Sequence, residues 1–303
     1  MDELRFDDRT VIVTGAGRGL GRSHALLFAA RGARVVVNDL GGAVDGTGAS
    51  PEPADAVVAE ILSAGGDAVA SYDSVADPDG AASIVRAALE TFGGLDVVVN
   101  NAGISDVDSF DRLSTERWQR MVDVHLFGTV HVLQAAWPVM VEAGYGRVVN
   151  TFSEGGLGRI PKATSYGSAK GGVLGFTRTL ASEGANLGIS VNAISPRADT
   201  RSSAPEILAQ IFDLPAETFA GVMKAMKPEL VSPAAVFLAH ESCTLNGEVL
   251  VVGEGQVCRM AIVENEGITR AALTPEDIAA NLAKVMDVAG AHVVSINNLL
   301  ETV

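Results

Sequence analysis

The amino-acid sequence predicts an α/β protein built on one doubly wound, mostly parallel sheet of about seven strands, followed by a C-terminal helical extension. Three observations carry this expectation. Short Val- and Ile-rich runs alternate with longer helical patterns, as successive βαβ units require. Most of those runs are continuously apolar rather than alternating, which fits strands covered by helices on both faces. A glycine cluster also separates the first run from the first helix, where such sheets bind ligands.

The predicted strands cover residues 10–14, 33–38, 68–72, 97–100, 148–152, 190–194 and 249–252, and helical patterns cover 21–31, 53–64, 78–92, 115–143 and 165–186. Right-handed crossovers join them into one domain over residues 1–258, with no internal repeat and no linker. Two segments are additions to this core. Residues 41–53 form a Gly/Ala/Asp-rich loop, longer than the usual ~2–6 residues of a βα connection. The extension, residues 259–303, contains Leu273-Thr274-Pro275-Glu276-Asp277, a helix start with Thr274 as N-cap and acids facing the positive end of the dipole. Ile278, Leu282, Val285 and Met286 follow at helical spacing, an apolar stripe that must pack on its own core or on a partner subunit.

Composition narrows the function classes. The 303 residues carry 22 Lys+Arg against 37 Asp+Glu, a formal net charge of −15, so no basic stripe is available to displace counterions from nucleic acid. With 48% hydrophobic and 19% charged residues, the chain is a packed globule rather than a disordered one. No apolar run reaches the ~18–20 residues that cross a bilayer, and the start, Met1-Asp2-Glu3-Leu4-Arg5, lacks a signal core. Cys243 and Cys258 make no disulfide framework and read as reduced thiols.

The chemistry concentrates in two places. In Thr14-Gly15-Ala16-Gly17-Arg18-Gly19-Leu20-Gly21, glycines let backbone N–H groups approach a pyrophosphate at a helix N-terminus. Asp39 ends the second strand, 24 positions after Gly15. Its carboxylate can accept from ribose hydroxyls and would repel a 2′-phosphate by about 4 kcal/mol at ~4 Å, which selects NAD over NADP. Arg18 and Arg22 argue the other way, since a guanidinium could grip that phosphate.

In the second place, Tyr166 and Lys170 stand one helical turn apart in Ser165-Tyr166-Gly167-Ser168-Ala169-Lys170. A lysine cation and the nicotinamide charge beside a phenol would favour the phenolate. A lowering of ~2–3 pH units needs about 3–4 kcal/mol. Ser153, at the C-terminal end of the strand 148–152, could hold a substrate oxygen. A Tyr/Lys pair at this spacing is also common on plain solvated faces. What points to chemistry is its conjunction with the glycine loop, Asp39 and Ser153.

That conjunction resembles the short-chain dehydrogenase/reductase family. Thr14 to Gly21 matches its TGxxxGxG motif, Asn100-Asn101-Ala102-Gly103 its NNAG, and Ser153, Tyr166 and Lys170 its Ser…YxxxK. The resemblance implies a Rossmann-like fold over residues 6–256, NAD as cofactor, Tyr166 as acid/base, Lys170 binding the nicotinamide ribose, and Ser153 polarising the carbonyl. It implies cofactor contacts from Gly15, Gly17, Arg18, Gly19, Leu20, Gly21, Asp39, Leu40, Asp73, Ser74, Asn101, Ala102, Gly103, Val124, Thr151, Tyr166, Lys170, Pro196, Arg197 and Thr200, with Asp73 on the adenine. No metal is implied.

Two positions depart from the family pattern: Val124-His125-Leu126 stands where a relay asparagine is usual, and Pro196-Arg197 where Pro-Gly is usual. Within the family, Val37-Asn38-Asp39-Leu40-Gly41-Gly42, Ser71-Tyr72-Asp73-Ser74-Val75, Val124-His125-Leu126, His240-Glu241-Ser242-Cys243 and Leu273-Thr274-Pro275-Glu276 resemble the branch formed by (3R)-hydroxyacyl-CoA dehydrogenase modules of peroxisomal multifunctional enzymes type 2. The resemblance implies an alcohol/ketone oxidoreductase acting on a 3-hydroxyacyl-CoA or related thioester, working as a homodimer or homotetramer. Because Glu301-Thr302-Val303 is not a Ser-Lys-Leu address, a stand-alone cytoplasmic enzyme is expected.

The alternatives are a hydroxysteroid or other bulky-alcohol dehydrogenase, and an NAD-sensing binding protein without chemistry. Ile207, Leu208, Ile211, Phe212, Leu214, Phe219, Val222 and Met223, in a lid over residues 197–228, suit an apolar substrate or an ordinary lid core. Arg201, Lys224 and Lys227 could grip CoA phosphates or be solvated charge.

Overall fold

The computed structural model describes residues 3–296, so the terminal triplet Glu301-Thr302-Val303 lies outside the described residues. Strands β1 (Thr10–Thr14), β2 (Arg34–Asn38), β3 (Asp67–Ser71), β4 (Val97–Asn100), β5 (Gly146–Thr151), β6 (Ile189–Pro196), β7 (Val249–Gly253) and β8 (Gln256–Met260) form one sheet in the order β3-β2-β1-β4-β5-β6-β7-β8. All pairs are parallel except β7 with β8. The fold is Rossmann-like, with the order reversing between β1 and β4. That switch point opens a crevice at the C-terminal ends of the strands.

The continuous Val/Ile runs are buried on both faces, as their pattern predicts. Val11, Val13, Val35, Val37, Val97 and Val99 pack on one side with α1 (Gly19–Ala30) and α2 (Glu52–Ser63). Ile12, Val36, Val98, Val148 and Val191 pack on the other with α3 (Pro78–Phe92) and the long helical region that follows β4. Full burial of such a side chain contributes about 1.5–3 kcal/mol.

The predicted helix 115–143 is three pieces. α4 (Thr115–Val122) runs into a π-helical turn, Asp123–Phe127, and continues as α5 (Gly128–Ala143). Contrary to the expectation that no apolar stretch is long enough, this run reaches the length and composition of a membrane-crossing helix. In this fold it is a core helix, with Val132, Leu133, Ala136 and Met140 buried in the same layer as Ile84, Val98 and Val148.

α6 (Thr164–Gly184) follows β5. The lid after β6 contains α7 (Pro205–Phe212) and α8 (Glu217–Met223), and α9 (Ser232–Ala239) precedes β7.

The sheet has one strand more than the sequence reading counted, because β8 turns back on β7 at Glu254-Gly255 and runs across the boundary expected at residue 258. β9 (Val263–Glu264) and β10 (His292–Val293) pair as a small antiparallel ribbon, so the extension is not purely helical. Between them lie α10 (Pro275–Ala280) and α11 (Leu282–Met286). Thr274 caps α10 as read, accepting from the Asp277 N–H at 3.2 Å. The helix then breaks at Asn281, whose side chain donates to the Asp277 carbonyl at 2.7 Å and draws the backbone into a local turn.

Ile278, Leu282 and Met286 are exposed, at 42%, 55% and 69%, so the apolar stripe does not pack on the chain's own core. The ribbon end does: Arg178 of α6 donates to the Val294 carbonyl at 2.5 Å, and Ile296 packs over Gly247.

Candidate active site

The glycine loop after β1 is held open for a ligand by contacts that leave no room for side chains. Gly15 has φ +63°, a left-handed conformation, and a Cβ on Gly21 would lie 2.1 Å from the Gly15 carbonyl oxygen. The end of β4 is stitched to this loop. Thr14 Oγ1 accepts from the N–H groups of Asn101 and Ala102, each at 3.0 Å, while the Asn101 amide donates to the carbonyls of Thr14 (2.9 Å) and Gly15 (3.1 Å). Asp39, just past β2, turns its carboxylate back onto the loop. Oδ2 accepts from Gly17 N–H and Oδ1 from Gly41 N–H, both at 2.7 Å.

Across the crevice, Ser153 follows β5 and Tyr166 and Lys170 project from α6. Ser153 Oγ accepts from Gly155 N–H at 3.1 Å and shares a side-chain hydrogen bond with Tyr166. Lys170 is 3% exposed, and its Nζ donates to the Thr151 carbonyl at 2.6 Å, 5.9 Å from the Tyr166 ring centroid. Burial pushes Lys170 down to about 7. It also pushes the Tyr166 phenol up, and the Ser153 hydrogen bond only partly offsets this. The lowered tyrosine expected from the sequence is therefore not produced by the lysine alone. Desolvation disfavours both charged forms, and the ammonium is turned toward a backbone carbonyl.

His125 sits in the π-helical turn, where an extra residue per turn swings its ring into the site. Its Nε2 lies 2.8 Å from the Ile104 carbonyl oxygen, and the ring meets Tyr166 edge-on at 5.1 Å. Burial first, then the Lys170 charge, lower its pKa to about 3, so the ring is neutral. Its Nδ1 is buried and has no hydrogen-bond partner among the described residues. Arg197, in place of the usual glycine, is held by Glu154, with Nε and Nη2 donating to the carboxylate at 2.8 and 2.9 Å.

One cleft of about 470 Å³ gathers these groups. Every residue singled out from the sequence as a catalytic or cofactor contact lines it except Gly17, which is covered by Asp39 and Pro53 and reaches the site only through the Asp39 bond. Arg22, weighed as a phosphate grip, is instead paired with Glu60 at 2.5 Å. Of the lid residues, Leu208, Ile211, Phe212 and Met223 line the cleft, whereas Ile207, Leu214, Phe219 and Val222 do not. Sequence reasoning missed Ile104, Val107, Ile160 and Met226, apolar wall residues with no pattern of their own. Among the described residues, no cluster of His, Cys, Asp and Glu could hold a metal.

The fold and the cleft define a Rossmann-like oxidoreductase whose hydroxyl and phenol groups face a glycine-lined crevice. The chain belongs to the short chain dehydrogenase family, whose profile matches residues 9–204. It is 47% identical over 287 residues to a short-chain type dehydrogenase/reductase of Mycobacterium tuberculosis, covering 94% of this chain and 96% of that one. It is 44% identical over 296 residues to the peroxisomal multifunctional enzyme type 2 of Mus musculus, covering 95% of this chain but only 38% of that longer protein. Among solved structures, carveol dehydrogenase from Mycobacterium avium in complex with NAD superposes with a TM-score of 0.74 at 28% identity, covering 82% of this chain and 97% of that one. The family and these relatives make the chain an oxidoreductase acting on CH–OH groups.

Proposed function

We propose that this protein is an NAD-dependent dehydrogenase that interconverts a secondary alcohol and a ketone, with a 3-hydroxyacyl-CoA or related thioester as substrate. The observation that carries the reading is the meeting of Ser153, Tyr166 and Lys170 in the same cleft as the glycine loop and Asp39. The residues fit a dinucleotide: the loop leaves a cradle that a Cβ at Gly15 or Gly21 would fill, and Asp39 holds a carboxylate beside it where ribose hydroxyls would bind. Bound NAD supplies the hydride acceptor.

The chain's own groups do the rest. Tyr166 acts as base only when ionised, which burial opposes and which the Lys170 ammonium together with the nicotinamide charge of the bound cofactor would favour. As phenolate it takes the hydroxyl proton, Ser153 donates a hydrogen bond to the substrate oxygen as charge develops on it, and Lys170 binds the ribose beside the phenol. The branch likeness to hydroxyacyl-CoA dehydrogenase modules supports the thioester substrate. The apolar lining from Leu208, Ile211, Phe212, Met223 and Met226 supports a long aliphatic chain, and equally favours a second reading, a bulky alicyclic or steroid alcohol.

The test is a panel of 3-hydroxyacyl-CoAs and hydroxysteroids, followed by absorbance of the reduced nicotinamide, with wild type and Tyr166→Phe. The variant should bind NAD nearly as wild type does while kcat drops by roughly 10²–10⁴-fold. Retained turnover would overturn the role of Tyr166, and turnover only with NADP would overturn the cofactor.

A further inference from the structure

Two arginines that line the cleft with the glycine loop, Arg18 and Arg201, form no ion pair among the described residues. Arg18 belongs to the loop itself and forms no side-chain hydrogen bond or ion pair among the described residues. Arg201 comes from the other side, in the lid, where Thr200 is seated over the loop; a Cβ on Gly19 would lie 3.5 Å from Thr200 Cγ2. The Arg201 Nη1 donates to the Gly42 carbonyl at 3.2 Å. Gly42 lies in the long Gly-rich loop, which is pinned on its far side by the Ser105 N–H bonding to the Val44 carbonyl at 2.8 Å. The loop that the sequence marked as an insertion thus reaches the lid, and its carbonyl aims Arg201 at the crevice.

Asp39 is the acid whose charge acts on Arg201, but both of its oxygens are taken by backbone N–H groups of Gly17 and Gly41. Arg201 is disfavoured as a cation by partial burial and by the Arg18 charge, with Asp39 offsetting only part of this. Two cations at the positive end of α1 are stabilised by an anion of about two charges placed between them.

We infer that Arg201 is a binding residue carried by the lid, aimed by Gly42 at the diphosphate of the dinucleotide and opposing Arg18 across it. This rests on the dinucleotide reading above. It places Arg201 on the cofactor rather than on CoA phosphates, because its neighbour Thr200 sits over Gly19 of the loop and the Arg18 charge acts on it.

The test compares wild type, Arg201→Ala and Arg201→Lys by fluorescence titration with NADH and by calorimetry with ADP and adenosine. Arg201→Ala should weaken NADH and ADP about tenfold and leave adenosine unchanged. The weakening of NADH binding by added salt should become shallower in Arg201→Ala. Arg201→Lys should recover part of the loss, and its melting temperature should match wild type. Equal weakening of adenosine would overturn the inference in favour of a loop-shaping role. So would a raised KM for a CoA thioester but not for its pantetheine analogue, with NADH binding untouched. Unchanged NADH binding in Arg201→Ala would refute the clamp alone. A wild type that binds neither NADH nor NADPH would refute the dinucleotide reading with it.

Discussion

Replacing Lys170 by methionine should abolish turnover and at the same time stabilise the fold. Lys170 is buried, and burial brings its pKa from 10.5 to about 7. That difference, at 1.36 kcal/mol per pH unit, corresponds to about 5 kcal/mol of folded-state penalty. Part of this is returned in the comparison, because methionine leaves the Thr151 carbonyl without the donor it has at 2.6 Å, a loss of about 2 kcal/mol. Lys170→Met should therefore be about 3 kcal/mol more stable than wild type at pH 7.

The difference should depend on pH with a definite sign. Between about 7 and 10.5 the unfolded lysine holds a proton that the folded one has released, so wild-type stability rises with pH and the gap closes by about 1.4 kcal/mol per unit. Urea unfolding of both proteins at pH 7, 8 and 9 measures this directly, since other titrating groups cancel in the comparison. A variant less stable than wild type at pH 7, with a gap that ignores pH, would refute the argument. Lys170 would then be an ordinary packed side chain rather than a destabilised functional cation.

Other outcomes follow from the same site. On the proposed NAD reading, Asp39→Ala should narrow the preference for NAD over NADP at least tenfold in kcat/KM, because the carboxylate beside the glycine loop that would repel a 2′-phosphate is gone; an unchanged ratio would remove Asp39 as the selector. Gly103→Ala should lower both kcat and stability, by about 1–3 kcal/mol, since its Cβ would lie 2.5 Å from His125 Cε1 and push the ring off Ile104. A thermal melt beside steady-state rates checks it. His24, fully buried between α1 and α9 with Nδ1 2.8 Å from Ser232 Oγ, has a pKa lowered to about 4 by burial. Its neutral form favours the fold above pH 6.5, and as pH falls from 6.5 to about 4 the unfolded state protonates first, removing about 3 kcal/mol. His24→Gln should make acid unfolding shallower over that window.

The local chemistry of this protein was written in the chain. Glycines at 15, 17, 19 and 21 between an apolar strand and an apolar helix permit the left-handed and close-approach conformations of a ligand loop, and continuous Val/Ile runs fit a sheet covered on both faces, so loop and sheet class were legible. The family-like Ser…YxxxK spacing marked Ser153, Tyr166 and Lys170, which line one cleft. What required the tertiary structure were relations between distant segments. β8 pairs because the chain reverses at Glu254-Gly255, which its short and mostly exposed run Gln256–Met260 does not signal. The break at Asn281 reflects a side-chain bond that helical periodicity does not register. The protonation state of the site was also beyond sequence. Residue spacing places a lysine beside a tyrosine, but whether that pair is charged depends on how much water the surrounding fold removes. Here the fold removes enough to raise the phenol and bring the amine down to about 7. The convergence of Arg18 and Arg201 on one crevice, 183 residues apart in the chain, is of the same kind: only packing brings the two charges together.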